Sequence, residues 1–167
     1  MSALEKMPVE VKDREIVFTR MFAAPRQMVW DAFTMKEHLL KWWGPHGFTN
    51  KDCSVSLKPE GKMMITMVGQ GGEEYPCLFL YDEIVPIEKI VWTDVVDEKL
   101  IESDIWGPDG PPPSSIITML FEDLGSTTKL TMISKFENND GRDKILKMGA
   151  AQGWAESLER LDDLLKN

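Results

Sequence analysis

Polar and apolar residues first alternate regularly from Arg14 to Phe22, with Ile16, Phe18, Arg20 and Phe22 on one face and Val17, Thr19 and Met21 on the other. A period of two in β-branched and aromatic residues predicts a strand. The spacing becomes helical after Pro25, whose ring presets φ for a first helical position, and Met28, Val29, Trp30, Ala32 and Phe33 predict a short helix ending near Phe33. Thr34 and Glu37 have the spacing of a capping box and predict a second short helix, which carries Leu39, Leu40 and Trp43 and stops at Gly44-Pro45-His46-Gly47.

From Asp52 to Ile133 the pattern is one of short extended segments: Cys53–Leu57, Lys62–Val68, Tyr75–Val85, Lys89–Val95, Ser115–Glu122 and Thr128–Ser134. Most of the separators, such as Lys58-Pro59-Glu60-Gly61 and Leu124-Gly125-Ser126, are short and turn-forming, which predicts an antiparallel meander. The connection from Asp97 to Pro113 is longer, and its Leu100, Ile101, Ile105 and Trp106 suit either a flap over a cavity or a loop packed on the sheet edge. After Asn138-Asn139-Asp140-Gly141 the rest reads as one long helix with Trp154, Leu158, Leu161 and Leu165 along a stripe, widened by Ile145, Met148, Ala151 and Ala155. Its other face carries Arg142, Lys147, Glu156, Glu159, Arg160 and Asp163. The expected fold is α+β: a flexible segment over residues 1–13, then one domain over 14–167 in which a curved antiparallel sheet holds a long C-terminal helix.

Composition narrows the function classes. The 167 residues fit a single domain, and a net charge of -9 repels nucleic acid and anionic bilayers, so neither is an expected partner. No apolar run resembles a signal peptide or a membrane span, which predicts a cytoplasmic location. Cys53 and Cys77 lack metal or redox spacing, and His38 and His46 are the only histidines, so neither a metal nor a cofactor is expected. Monomer and homodimer are both compatible with the sequence.

Bulky residues on the inner faces of the strands either fill a core or line a cavity. The aromatic candidates for a cavity are Trp42, Trp43, Phe48, Phe79, Tyr81 and Trp92; the methionines are Met63, Met67, Met119, Met132 and Met148, whose thioethers adapt to varied apolar ligands. Ala155, with Gly149-Ala150-Ala151 and Gly153 nearby, leaves room along the helix. For acid, base or nucleophile roles the candidates are His46, Glu83, Asp31, Tyr81 and Cys77, but none stands in a motif that enforces a catalytic partner.

Several segments carry a resemblance: Phe22-Ala23-Ala24-Pro25 followed by Val29-Trp30-Asp31-Ala32-Phe33, Trp42-Trp43-Gly44-Pro45 with Gly47-Phe48, Tyr81-Asp82-Glu83-Ile84, and Gly153-Trp154 with Leu158 and Leu161. In this order they resemble the helix-grip proteins of the START/Bet v 1-like (SRPBCC) superfamily, and within it the family named after the activator of the Hsp90 ATPase. The chain departs from the family at Ser56-Leu57-Lys58-Pro59-Glu60-Gly61, where relatives usually have an Asp-hydrophobic-Arg-Pro-Gly-Gly turn. The resemblance implies an internal cavity for hydrophobic molecules, and the leading expectation is binding of small hydrophobic or aromatic molecules without catalysis. It also implies, as alternatives, an Hsp90-type chaperone partner in a stress response, or a polyketide cyclase or hydrolase-like enzyme. Fold analogy does not choose between them.

Overall fold

The computed structural model describes residues 1–167. Eight strands form one antiparallel sheet: β1 (Val9–Lys12), β2 (Glu15–Phe22), β3 (Thr49–Val55), β4 (Lys62–Val68), β5 (Glu74–Val85), β6 (Lys89–Val95), β7 (Ser115–Asp123) and β8 (Thr128–Phe136), in the order β1-β2-β8-β7-β6-β5-β4-β3. Two short helices, α1 (Arg26–Thr34) and α2 (Lys36–Trp42), connect β2 to β3, and α3 (Asn139–Lys147) and α4 (Ala150–Leu165) close the chain. Ile16, Phe18, Met63, Ile65, Phe79, Ile90, Trp92, Ile117, Met119 and Met132 point into the grip, where Leu158 and Leu161 of α4 meet them in one core. The architecture is the expected helix-grip α+β fold. No helix is long and apolar enough to cross a membrane.

The segment before Arg14, expected to be flexible, instead supplies a strand. β1 pairs with β2 in the register Val9↔Phe18 to Lys12↔Glu15, and Met7 just ahead of it is fully buried. Val9 and Val11 remain 39% and 49% exposed, so this edge strand has no buried face, and its alternation Val9-Glu10-Val11-Lys12 is only four residues long. The turn is pinned by α3: Arg14 N–H donates to Asn139 Oδ1 at 2.7 Å, and Arg142 Nη1 donates to the Lys12 carbonyl at 2.7 Å.

The expected long terminal helix is two helices. Gly149 adopts φ +89°, a left-handed conformation that glycine reaches without the steric cost borne by other residues, and it separates α3 from α4. The capping box at Thr34 does not form either. Met35 occupies the N-cap of α2, while the Thr34 hydroxyl donates back to the Trp30 carbonyl at 2.9 Å. Pro25 likewise sits one position earlier than expected, at the N-cap of α1. The long connection after β6 contains two 3-10 turns; Trp106 Nε1 donates to the Leu100 carbonyl, and Lys144 of α3 donates to the carbonyls of Asp109 and Pro111.

Candidate functional site

The interior of the grip is organised around Trp43. This residue follows the last turn of α2, whose terminal carbonyls lack helical partners. Arg160 of α4 supplies donors there and in the turn that follows: its guanidinium donates to the carbonyls of Lys41 in the helix at 3.3 Å, and of Trp43 at 2.9 Å, Gly44 at 2.8 Å and Pro45 at 3.2 Å beyond it. Asn50 Nδ2 adds a bond to the Trp43 carbonyl at 2.7 Å. Gly44 then turns at φ +93°, so the turn needs glycine for its conformation, and a Cβ there would come within 2.9 Å of Met67 Sδ and displace that side chain.

Held in this way, the Trp43 indole lies edge-on to Phe79 at 5.4 Å, Trp92 at 6.2 Å and Trp154 at 5.5 Å between ring centroids. These are favourable edge-to-face geometries, and they fill much of the interior. What remains open is two small spaces. One, of about 190 Å³, lies between Trp43, Gly44, Pro45, Met67, Cys77, Ala150, Gly153, Trp154 and Ser157. The other, of about 80 Å³, is walled mainly by Ile16, Phe18, Ile117, Phe136, Ile145, Ala150 and Trp154. Ala150 and Trp154 belong to both walls, so one turn of α4 divides the interior.

The smaller space also holds the only group of polar side chains among the residues around these two spaces that includes an acid. Asp94, Ser115 and Ser134 line it together. The register explains the grouping: Asp94 pairs with Phe79 on one side and Ser115 on the other, Ser115 pairs with Phe136, and Ser134 pairs with Ile117 and Ile16. All point inward in step with Trp92, Ile117 and Met132 on the same strands. Ser115 and Ser134 are only 7% and 5% exposed. Burial alone pushes the Asp94 carboxyl up to about 7, with no cation or hydrogen bond opposing it. Burial also raises the Cys77 thiol to about 12, which keeps it protonated and poorly nucleophilic.

The structure brings some of the sequence-derived cavity residues together and not others. Trp43 and Met67 line the larger space. Trp42, Met63, Phe79, Tyr81, Trp92, Met119, Met132 and Ala155 are buried in the core, and Trp42 Nε1 donates to the Ala32 carbonyl at 2.8 Å. Phe48 stacks edge-on with Tyr75 at 6.0 Å, outside both spaces, and Met148 at the helix break is 43% exposed. Asp94, Ser115 and Ser134 lie outside that set; their signal is a polar residue in phase with apolar inward positions on three strands.

The five residues considered for acid, base or nucleophile roles do not converge. His46 Nε2 meets Glu159 Oε1 at 2.9 Å on the surface, and that contact, with Lys6, holds the Glu159 carboxyl below its ordinary range. Glu83 pairs with Lys89 at 3.1 Å, and Asp31 accepts from Gln27 at 2.9 Å. Cys77 lines the larger space, while the Tyr81 hydroxyl is buried with no hydrogen-bond partner.

The family model described as Activator of Hsp90 ATPase homolog 1-like protein matches residues 23–166. The chain belongs to this family. The solution structure of an Arthrobacter aurescens protein superposes with a TM-score of 0.82 at 22% identity, covering 95% of this chain and 91% of that one. A Mycobacterium smegmatis protein gives 0.80 at 22% identity over 95% and 96%, and a Nitrosomonas europaea protein 0.78 at 23% over 94% and 97%. At these identities the solved structures establish the shared fold. No curated protein matches the chain. Four residues other than glycine take a left-handed φ, Arg14, Asp52, Glu60 and Ile87; Glu60, at φ +69°, stands in the turn where the resemblance implies a glycine.

Proposed function

We propose that this protein binds small apolar or aromatic molecules, of about the size of one ring, in the space between α4 and the sheet. The observation that carries this reading is the space of about 190 Å³ walled by Trp43, Met67 and Trp154. Pockets for drug-sized ligands run to roughly 300–1,000 Å³, which this space does not reach; it opens to solvent between the half-buried Pro45, Met67 and Trp154, so a guest of one ring can enter from the surface. Two tryptophans in the wall supply flat, polarisable surface for an aromatic guest, and Met67 adapts to its outline. A long-chain lipid does not fit the space.

Titration with toluene, followed by intrinsic tryptophan fluorescence and by isothermal calorimetry, tests the proposal. Saturable binding is expected, and Ala150→Leu, which places a branched side chain in the wall, abolishes it while leaving the fold intact by circular dichroism. Toluene that binds the variant as well as the wild type, or fails to bind either, refutes the reading.

A further inference from the structure

The polar corner of the interior has no structural role that the fold explains. A sheet-facing position flanked by Phe79 and packed near Trp154, Phe18 and Ile117 ordinarily carries an apolar residue, yet Asp94 occupies it. No cation answers it. From the elements packed around it, β2 presents Ile16 and Phe18, β8 presents Ser134 and Phe136, α3 presents Ile145, and α4 presents Ala150 and Trp154. Cys77, whose thiol is raised by burial and then by Asp94, stays neutral across the working pH range. Ser115 and Ser134 add two buried hydroxyls, each able to donate or accept, on the adjoining strands. Such a corner lacks one thing, a compact hydrogen-bond donor with positive charge.

We propose that Asp94, with Ser115 and Ser134, receives the protonated amine of a ligand whose apolar ring occupies the larger space, so that the preferred ligand class is a small aryl-alkyl amine. The inference rests on the binding reading above and adds the chemistry of the ligand's second end. An ammonium offers three donors, which matches one carboxylate and two hydroxyls. The two spaces are separate and share Trp154 in their walls, so the half-buried Trp154 indole must shift for the ligand's chain to pass between them. Small residues at Ala150, Ala151 and Gly153 leave room there; a Cβ on Gly153 would touch only Pro45 Cγ, at 3.7 Å. An uncharged hydrocarbon fills the larger space but leaves the carboxylate unanswered.

Calorimetric titration of the full chain with 2-phenylethylamine and with propylbenzene, its neutral isostere, tests this. At about pH 8 the amine is expected to bind about tenfold or more tightly than the hydrocarbon, as a charge-assisted hydrogen bond in a dry site requires. Asp94→Asn removes that preference and leaves propylbenzene binding within about twofold, and Ser134→Ala reduces it in part. In the wild type the preference shrinks as the pH drops below about 7 and Asp94 takes up its proton. Propylbenzene binding without any advantage for the amine, or an advantage that survives Asp94→Asn, overturns the inference while leaving the apolar-binding reading in place. Failure of both compounds to bind overturns both.

Discussion

Replacing Asp94 by Asn gives a stability test that needs no ligand. Burial raises the folded carboxyl from 3.8 to about 7, and at roughly 1.4 kcal/mol per tenfold change in proton affinity this corresponds to a penalty of roughly 4 kcal/mol on the ionised form. Asp94 keeps part of its surface accessible, and water reaching the carboxylate softens the penalty, so a measured value of about 1–4 kcal/mol is expected. The direction is fixed by linkage. Between the unfolded value near 4 and the folded value near 7 the folded chain binds a proton that the unfolded chain has lost, so Asp94 lowers stability progressively as pH rises through that window and by a constant amount above it. Asn cannot ionise and carries no such loss. Urea denaturation of both proteins from pH 4 to 8.5 should therefore show curves that nearly coincide at the acid end and diverge upward, with Asp94→Asn more stable at pH 8. Because every other titrating group is shared, the difference isolates this one. A variant equal to or less stable than the wild type at pH 8, or a difference that does not change with pH, refutes the assignment of Asp94 as an unpaired interior carboxyl.

Other substitutions probe the frame around the site. Arg160→Met keeps the apolar stem but removes the donor to the Lys41 and Gly44 carbonyls and leaves Trp43 only its bond from Asn50, and should cost about 2–3 kcal/mol by urea denaturation with a change in the Trp43 fluorescence environment. Glu60→Gly restores a residue suited to φ +69° and should raise stability by about 0.5–1 kcal/mol, the relief of left-handed strain exceeding the added chain entropy; a loss would show that the Glu60 side chain matters. Met7→Ala empties a fully buried position ahead of β1 and should cost about 2–4 kcal/mol, whereas a merely flexible segment would give no change.

Much of this was legible along the chain, because period-two alternation survives wherever one strand face is buried. β4 and β6 have the bounds that their patterns predict, and the other central strands differ by a few residues at their ends. β1 escaped because its Val9-Glu10-Val11-Lys12 alternation is only four residues long and exposed throughout, with backbone pairing rather than burial holding it. The division of the terminal helix at Gly149 was hidden because a glycine inside a helical pattern is compatible with continuity and only its positive φ ends the helix. For the site, residue types identified Trp43 and Met67 but did not separate wall from filling. Trp92, Phe79 and Met132 have the same character as the lining residues and differ only in being enclosed on all sides. Asp94 carried the opposite signal, a charge in phase with Ile90 and Trp92, whose meaning emerges once β7 and β8 place Ser115 and Ser134 beside it.

The account depends on an apolar hollow beside Trp43 and Trp154, and xenon probes that hollow directly. Crystals pressurised with xenon should show an anomalous peak among Trp43, Met67, Ala150 and Trp154, the apolar residues that wall the cleft. An interior without xenon, with side chains closed over the space or ordered water filling it, would contradict the proposal that ring-sized apolar molecules bind there.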